Sequence, residues 1–416
     1  MVSLALPASA VNGRREAAVG SPVERRRNAY RVVEVARVEE LDAFLVDWED
    51  LAGAAAEPNA FFEPWMLRPA LDAYGRDLDL RFVFVYEERP GQAPLLCGFF
   101  PFERAASFHR LPIGVFRLWS YVHCFLGTPL VRAGHVRATV GVLIRWLRGA
   151  AREHALLELP RCAVGGPVHE ALLAHLRESA TPFVARRFER ALFSPRESGD
   201  EYLGEALRGK KRKEIRRLER RLGELGRLEI EVLDPTAGAG RADTATARAW
   251  AEEFLSLEAA GWKGREGTAL GCRPADREFF LRAVEAAQER GRLMMLALRL
   301  DGRAIASKCN FLAGDGAFSF KIAYDERFAR FSPGFLLEVE TIRQLHTRPG
   351  LRWMDSCAVP GHPMADRLWL DRRELENLVI ATGGRSGRLV LAALSLARRL
   401  ADRAGGGVPP NSPEEA

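Results

Sequence analysis

Two arginines, a serine, a proline and a glycine meet where a β-rich run leads into an apolar helix, in "KIAYDERFARFSPGFLL" (321–337). A helix start leaves backbone N–H groups unpaired at the positive end of the helix dipole, so it can bind phosphate. Proline suits the first helical turn, glycine allows close approach, and arginines pair with phosphate oxygens. The alternative is an ordinary helix start with the serine as N-cap. The predicted phosphate-binding residues are Arg327, Arg330, Phe331, Ser332, Pro333 and Gly334.

The segments on both sides of this turn alternate between strand and helix patterns. The run 293–325 predicts a strand meander with turns at Asp301-Gly302 and Asp315-Gly316, followed by a helix from "SPGFLL" and a strand "LRWMDS". The first half has a similar order: the hairpin "LRFVFVYEE" with "APLLCGFFPFER", the helix "HVRATVGVLIRWLRGAAREHA" and the strand "LLELP". The sequence therefore predicts an α+β fold with a mixed α/β sheet in two similar lobes.

Length and composition set the class of the protein. A chain of 416 residues suggests two or three domains. We expect a leader at 1–29, a first lobe at 30–195, a second lobe with the donor site at 196–385, and an amphipathic helix with a tail at 386–416. The net charge of +6 favours anionic partners.

Cysteine usage and hydropathy indicate the compartment. The six cysteines include no C-x-x-C pair and no histidine at ligand spacing, so the sequence predicts neither a disulfide framework nor a metal site. No apolar run reaches the roughly 18 residues that a membrane-spanning helix needs. We expect a cytoplasmic protein, soluble or peripheral on the inner face of the membrane.

Four stretches carry a resemblance to a known family: "GKKRKEIRRLERRL", "EAAGWKGREGTAL", "ASKCNFLAGDGAFSFKIAYDERFARFSPGFLL" and "WMDSCAVPGHPMADRLWLDRREL". Together they resemble the CelD/BioF-like branch of the GNAT acyltransferase superfamily, which is built like the FemAB proteins from two GNAT lobes. The resemblance covers roughly residues 30 to 385. It implies an acyl-CoA N-acyltransferase fold, acyl-CoA as co-substrate and no metal.

The phosphate turn departs from the usual GNAT pattern Q/R-x-x-G-x-G/A, because it has one glycine. The donor therefore stays open between acyl-CoA and the aminoacyl-tRNA that FemAB relatives use. The resemblance implies an amine acceptor, such as a cell-envelope sugar, lipid or amino-acid derivative, relevant to polysaccharide biosynthesis. A non-catalytic assembly factor docked on the membrane is the alternative from another class.

Amide formation needs a proton acceptor for the attacking amine and a proton for the leaving group. The resemblance places Asp355 at a strand end where the sheet opens and Glu258 on the acceptor side, and either is the base or the amine anchor. Lys321 and Tyr324 end the central strand and are candidates to protonate the leaving group. For each of the four, a purely structural role is the alternative.

Acceptor-binding candidates are polar residues beside these positions. Trp262 and Lys263 in "GWKG" suggest a lid, or else a solvated loop. Lys308 and Asn310 interrupt an otherwise apolar strand, where polar groups need partners, so they bind an anionic acceptor or form a structural network. His362 in "GHP" is a further candidate that can assist proton transfer.

The segment 208–221 predicts a basic surface helix. Its lysines and arginines surround an apolar stripe that continues beyond the segment, formed by Ile215, Leu218, Leu222 and Leu225. Such a charge density can bind tRNA, anionic lipid or a phosphorylated polymer. It lacks interleaved aromatic residues, which disfavours single-stranded nucleic acid. A solvated face is the alternative.

Overall fold

A single mixed sheet runs through the whole protein. The computed structural model describes residues 29–108, 111–150, 154–176, 182–234 and 243–403. Within them, twelve strands follow the order β1-β2-β3-β4-β6-β13-β7-β12-β11-β10-β9-β8, and the short β5 pairs with β3. The predicted leader and the tail after residue 403 lie outside the described residues, apart from residue 29.

The first half of the chain contains seven strands and four α-helices among its described residues. Their bounds are β1 (Ala29–Val35), α1 (Leu45–Gly53), α2 (Pro64–Tyr74), β2 (Leu80–Glu88), β3 (Leu95–Ala105), β4 (Gly114–Leu118), β5 (Leu130–Val131), α3 (Val136–Ala150), β6 (His154–Ala163), α4 (Pro167–Leu176) and β7 (Phe183–Phe193).

The second half repeats the order of elements of the first: hairpin strands, a crossover helix and a parallel strand. Its elements are α5 (Gly199–Ala206), α6 (Gly209–Gly223), β8 (Leu228–Leu233), α7 (Thr244–Ala259), α8 (Trp262–Arg265), α9 (Pro274–Glu289), β9 (Leu293–Leu300), β10 (Arg303–Ala313), β11 (Gly316–Tyr324), α10 (Pro333–Thr347), β12 (Trp353–Asp355), α11 (Ala365–Leu368), β13 (Asp371–Ala381) and α12 (Gly384–Arg403).

Each half has one parallel strand pair joined by a crossover helix. β4 pairs with β6 across α3, and β11 pairs with β12 across α10, whereas the other pairings are antiparallel. Right-handed crossovers of this kind need a helix between parallel strands. The predicted fold class, a mixed sheet in two GNAT-like lobes, is confirmed.

The two lobes exchange their last strands. β13 from the second half lies between β6 and β7, and β7 from the first half pairs with β12. The sheet is therefore continuous across the lobes. The boundary predicted at 195/196 falls in the loop between β7 and α5, and it stays a prediction.

Local corrections follow from the observed element ends. The predicted helix in 135–155 ends earlier, because residues from His154 onward pair in the sheet as β6. The second hairpin turn is Gly314-Asp315, one residue before the predicted pair, since Ala313 pairs with Gly316 and Gly314 has a φ of 53°. Gly75 ends α2 as predicted.

Aromatic contacts join the lobes above the sheet. Phe61 packs edge-on against Phe318, with ring centroids 4.9 Å apart, and Tyr74 packs on Phe279 at 5.6 Å. Aromatic pairs in such geometries add to the burial of their apolar area. α2 and α9 pack together along this seam. In the described residues, no helix is both long and apolar enough to cross a bilayer, as the sequence predicted.

Candidate active site

The sheet opens between β11 and β12. The two strands pair only from Gly316 to Phe318, opposite Trp353 to Asp355. β11 continues to Tyr324 while β12 stops, so one side of the distal half of β11 faces a cleft between the lobes. This opening sets which side chains a ligand can reach.

Lys321 projects from the open half of β11. Its Nζ lies 5.8 Å from the ring centroid of Phe125 and 6.0 Å from that of Phe320, and it has no hydrogen-bond partner within the described residues. Burial and the positive charge of Lys263 lower the pKa of Lys321 to about 8, although the negative charge of Glu258 acts in the opposite direction. The amine is therefore poised to exchange a proton near neutral pH.

His123 reaches the same region from the loop after β4. The ring is buried, stacks on Phe279 at 5.5 Å and meets Phe320 edge-on at 5.9 Å. Its Nε2 has no hydrogen-bond partner, and the nearest carboxylate oxygen, Asp276 Oδ1, is 3.6 Å away. Burial lowers the pKa of His123, and the charge of Lys321 adds to this effect. The imidazole is neutral at pH 7 and can accept a proton.

Asp276 is held in place by a neighbouring phenol. Tyr74 donates a hydrogen bond to Asp276 Oδ1 at 2.8 Å. Asp276 lies in the first turn of α9, where the helix dipole stabilises a carboxylate. The carboxylate oxygen Oδ1 lies 3.6 Å from Nε2 of the His123 ring.

Glu258, a predicted base, lies near Lys321 but is already paired. Its Oε1 accepts from Lys263 Nζ at 2.8 Å and its Oε2 accepts from the backbone N–H of Leu270 at 2.8 Å. The residue is 3% exposed. These bonds position α8 and the loop after it, so the geometry favours a positioning role over direct proton transfer.

Asp355, the other predicted base, is enclosed by two guanidinium groups. Arg190 lies 2.6 Å from its Oδ1 and donates to its Oδ2 at 2.8 Å, and Arg373 donates to Oδ2 at 2.8 Å. The backbone N–H of Cys357 donates to Oδ1 at 2.9 Å. Burial alone raises the pKa of Asp355, but the two arginines hold it below its ordinary value. Such a carboxylate is a weak base, and the geometry favours a structural role.

Lys308 and Asn310 face the core. Lys308 is fully buried, its Nζ donates to Glu338 at 2.6 Å, and Trp369 Nε1 donates to the same carboxylate at 3.0 Å. Asn310 donates to the Met294 carbonyl at 3.2 Å. The ion pair of Lys308 fits the structural alternative, whereas the buried Oδ1 of Asn310 has no hydrogen-bond partner among the described residues.

The predicted phosphate turn has one uncommitted backbone donor. Pro333 has no N–H, while the N–H groups of Phe335 and Leu336 both bond to the Ser332 carbonyl. Ser332 adopts a φ of 53° and its side chain makes no capping hydrogen bond. In the part of the chain that the structure describes, the Gly334 N–H has no acceptor.

The arginines of this turn differ in their availability. Arg327 makes a bidentate pair with Asp325, at 2.6 Å for the closer contact, yet the arginine side chain is 62% exposed. The guanidinium of Arg330 lies 4.7 Å from the ring centroid of the buried Phe331. Both cations lie on the 3-10 helix 326–331 that leads into α10.

Gly334 is close to a predicted catalytic side chain. A Cβ at this position would lie 3.3 Å from Tyr324 Cδ1, tighter than an ordinary contact. The ring of Tyr324 thus packs on the first turn of α10, and this residue is partly exposed. The tyrosine therefore lies beside the start of α10.

Trp262 and His362 lie at the rim. The Trp262 backbone N–H donates to Glu326 Oε1 at 2.7 Å, which ties α8 to the 3-10 helix before α10. The Trp262 side chain is about half exposed. His362 Nδ1 accepts from the N–H of Ala365, the first residue of α11, at 3.2 Å. Burial lowers the pKa of His362.

Sequence reasoning missed His123, Asp276 and Tyr74, which come from three distant segments. A histidine inside the aromatic stretch "SYVHCF" was the one available signal. Sequence reasoning also missed Cys357, which follows β12 and has a φ of 53°. Cys357 is close enough to Lys321 to interact with its charge. Burial raises the pKa of the Cys357 thiol well above its ordinary range, so it is protonated at pH 7.

Two other features lie outside this cleft. A groove of about 300 Å³ is lined by residues of α1, α2 and α9, among them Trp65 and Arg282. In the first lobe, ligand atoms of Glu87, Cys97 and His135 all lie within 4.8 Å of one another. These are residue types that bind zinc, and the Tyr30 hydroxyl contacts the glutamate at 3.4 Å and the histidine at 3.2 Å.

Comparison with known proteins assigns the class. Residues 209–362, less than half of the chain, match a family model described as an acetyltransferase (GNAT) domain. This segment contains the strand meander with Lys321 and the start of α10. The match therefore assigns a GNAT domain to residues 209–362. No curated protein matches it.

Solved structures share the fold at low identity. FemX matches with a TM-score of 0.52 and 11% identity, over 81% of this chain and 96% of FemX. A tandem GNAT protein from the clavulanic acid biosynthesis pathway gives 0.40 and 14%, over 86% and 100%. L-PGS from Bacillus licheniformis gives 0.45 and 16%, over 85% and 96%. The similarity to FemX supports the two-lobed fold.

Proposed function

We propose that this protein is an N-acyltransferase that moves an acyl group from acyl-CoA to an amine on a cell-envelope sugar, lipid or amino-acid derivative. One observation carries the proposal: Lys321 and His123 are uncommitted and lie together at the opening of the sheet in a GNAT-type chain. Among the other charged candidates, ion pairs already engage Asp355, Glu258, Lys263, Lys308 and Arg327. A cleft that holds one group able to donate a proton and one able to accept a proton suits general acid–base chemistry.

The reaction is direct attack of the acceptor amine on the thioester carbonyl. The C–N bond forms, the tetrahedral oxyanion collapses, and the C–S bond breaks to release CoA. His123 accepts the proton that the amine loses, because its neutral Nε2 is free. Lys321 donates a proton to the departing thiolate. The charges balance, and the pKa of Lys321, about 8, lies in the range that general acid–base catalysis favours.

The start of α10 is the proposed donor site. The free N–H of Gly334 and the positive end of the helix dipole face the pyrophosphate, and Arg327 and Arg330 supply counter-charge at the rim. Tyr324 packs on the same turn. The donor's acyl end then points along β11 toward Lys321.

Titration calorimetry with acetyl-CoA tests this assignment. We expect wild-type protein to bind at micromolar concentration and the variants Ser332→Glu and Gly334→Trp to lose binding, because one adds a negative charge and the other fills the approach to the N–H. Val46→Gln, an exposed site on α1, is the matched control and should bind normally. Absent binding to wild type, or full binding to Gly334→Trp, would overturn the donor site.

Charged tRNA is a second candidate donor. The basic helix α6 packs against the 3-10 helix 326–331, and Lys211 Nζ lies 5.2 Å from the ring centroid of Phe335 in the first turn of α10. A polyanionic donor at α10 would therefore meet this surface. Salt-sensitive tRNA binding that is lost in a variant with Lys210, Lys211 and Lys213 changed to Gln would favour tRNA over CoA, and unchanged binding would exclude this role of α6.

A further inference from the structure

α12 has two apolar faces. The inner face packs Leu391 onto a small core cluster that includes Phe108, Leu156 and Val379. Arg398 also faces inward, where its guanidinium donates to the Val184 carbonyl. These contacts fix the helix against β6, β13 and β7, so its remaining surface has a defined orientation.

The outer face exposes three leucines in a row. Leu389, Leu396 and Leu400 are 69%, 59% and 55% exposed. They follow one another at seven and then four residues, spacings that align side chains on one side of an α-helix. The inner face accounts for the packing of the helix on the sheet, so the fold itself does not explain this stripe.

Arginines flank the leucine stripe. At 100° per residue, Arg385 and Arg403 lie within about 40° of the stripe and Arg388 and Arg399 within about 100°. All four are exposed. α12 contains five arginines and a single acidic residue. A row of leucines with arginines beside it is the pattern of a helix that lies in a membrane interface.

We propose that the outer face of α12 docks on the surface of an anionic lipid bilayer, with the three leucines inserted between headgroups and the arginines paired with phosphates. Charge complementarity selects this occupant, because polybasic surfaces bind anionic lipid. A second copy of the chain fits less well: a symmetric contact would place the same arginines opposite one another. The proposal is independent of acyl transfer.

Co-sedimentation of the full chain with vesicles tests this docking. Vesicles of equal parts phosphatidylcholine and phosphatidylglycerol should bind the protein, vesicles of phosphatidylcholine alone should bind it weakly, and added salt should release it. The triple variant Leu389→Gln, Leu396→Gln, Leu400→Gln should bind the anionic vesicles roughly tenfold or more weakly, because the apolar insertion is lost. Its melting temperature should stay unchanged, since all three side chains are exposed.

Matched controls separate the surfaces. Val46→Gln removes one exposed apolar side chain from α1 and should bind like wild type. A variant with Arg212, Arg216 and Arg217 of α6 changed to Gln tests the other basic surface, and the proposal expects it to retain most binding. The docking role of α12 is overturned if wild type ignores anionic vesicles, if the leucine variant binds normally, or if only the α6 variant loses binding. A wild-type dimer that the leucine variant converts to monomer, without vesicle binding, would overturn it in favour of self-association.

Discussion

Two sets of charged side chains near β11 and β12 differ in how completely the protein satisfies them. In the first set, Asp355 takes hydrogen bonds from two arginines and one backbone N–H, and Lys308 is buried against Glu338. In the second set, Lys321 has no hydrogen-bond partner among the described residues and His123 has a free Nε2. Asp355, Lys308 and His123 are buried and Lys321 is half-buried, so the two sets differ mainly in pairing.

The difference separates groups that hold the fold from groups that can react. A carboxylate that is paired with two guanidinium groups has a lowered pKa, so it stays ionised and is a weak base. Burial lowers the pKa of an unpaired amine toward neutrality and keeps an unpaired imidazole uncharged, so each can exchange a proton with a ligand. The Asp355 cluster also joins the lobes, because Arg190 lies on β7 and Arg373 on β13.

The largest effect should come from breaking the locked set. Asp355→Asn should lower the free energy of unfolding by about 3 to 5 kcal/mol, because it leaves the buried Arg190 and the half-buried Arg373 without a counter-ion. Urea unfolding followed by circular dichroism measures this change. Val46→Gln serves as the control. An Asp355→Asn protein that keeps its stability but loses activity would instead identify Asp355 as the base.

The same cluster predicts acid sensitivity. The folded-state pKa of Asp355 is lowered, so its contribution to stability is fully present above the unfolded value, near 3.9, and is lost as pH falls through the folded value. Wild-type protein should lose stability in this acidic window more steeply than Asp355→Asn. If the stability of both proteins fell equally steeply with pH, the result would contradict the ion pairs that we assign to Asp355.

Removing the uncommitted amine should affect turnover and leave the fold intact. Lys321→Met should lower kcat by roughly 10² to 10³, the range for loss of a general acid, while the free energy of unfolding stays equal or rises because an unpaired amine leaves the cleft. Release of CoA from acetyl-CoA in the presence of a panel of amines measures the rate. A Met variant with wild-type kcat would remove Lys321 from the mechanism.

The pH dependence of kcat should show the two groups separately. Activity should fall as pH rises through about 8, where Lys321 loses its proton, and as pH falls through the lowered pKa of His123, where the base becomes charged. His123→Gln should flatten the acidic limb and keep the alkaline one. An unchanged acidic limb in this variant would place the base elsewhere.

The smallest effect is expected at the phosphate turn. Gly334→Ala should raise the KM for acyl-CoA a few-fold, because its Cβ crowds the Tyr324 ring at 3.3 Å. Arg327→Gln should have an effect of similar or smaller size, since that arginine is already paired with Asp325 and mostly exposed. Steady-state kinetics against acyl-CoA distinguish KM from kcat here. An effect on kcat alone would contradict a donor-binding role.

The sequence predicted the fold class and the helix start at Pro333 because these depend on local periodicity and on turn chemistry. It did not predict the exchange of β7 and β13, since strand order depends on long-range pairing. Asp355 and Lys308 were candidates because their side chains can be charged. The sequence does not show that each forms an ion pair with a residue from a distant segment. His123 and Asp276 come together through the lobe interface alone.

The central claim is that Lys321 is an unpaired amine, half-buried beside the rings of Phe125 and Phe320. Its pKa can be measured directly by following the lysine ammonium signals by NMR from neutral to alkaline pH, with Lys321→Arg used to assign the signal. We expect a value of about 8 in the free protein, well below the ordinary value near 10.4. A measured pKa at that ordinary value would show a solvated, uncommitted surface amine and would contradict this account.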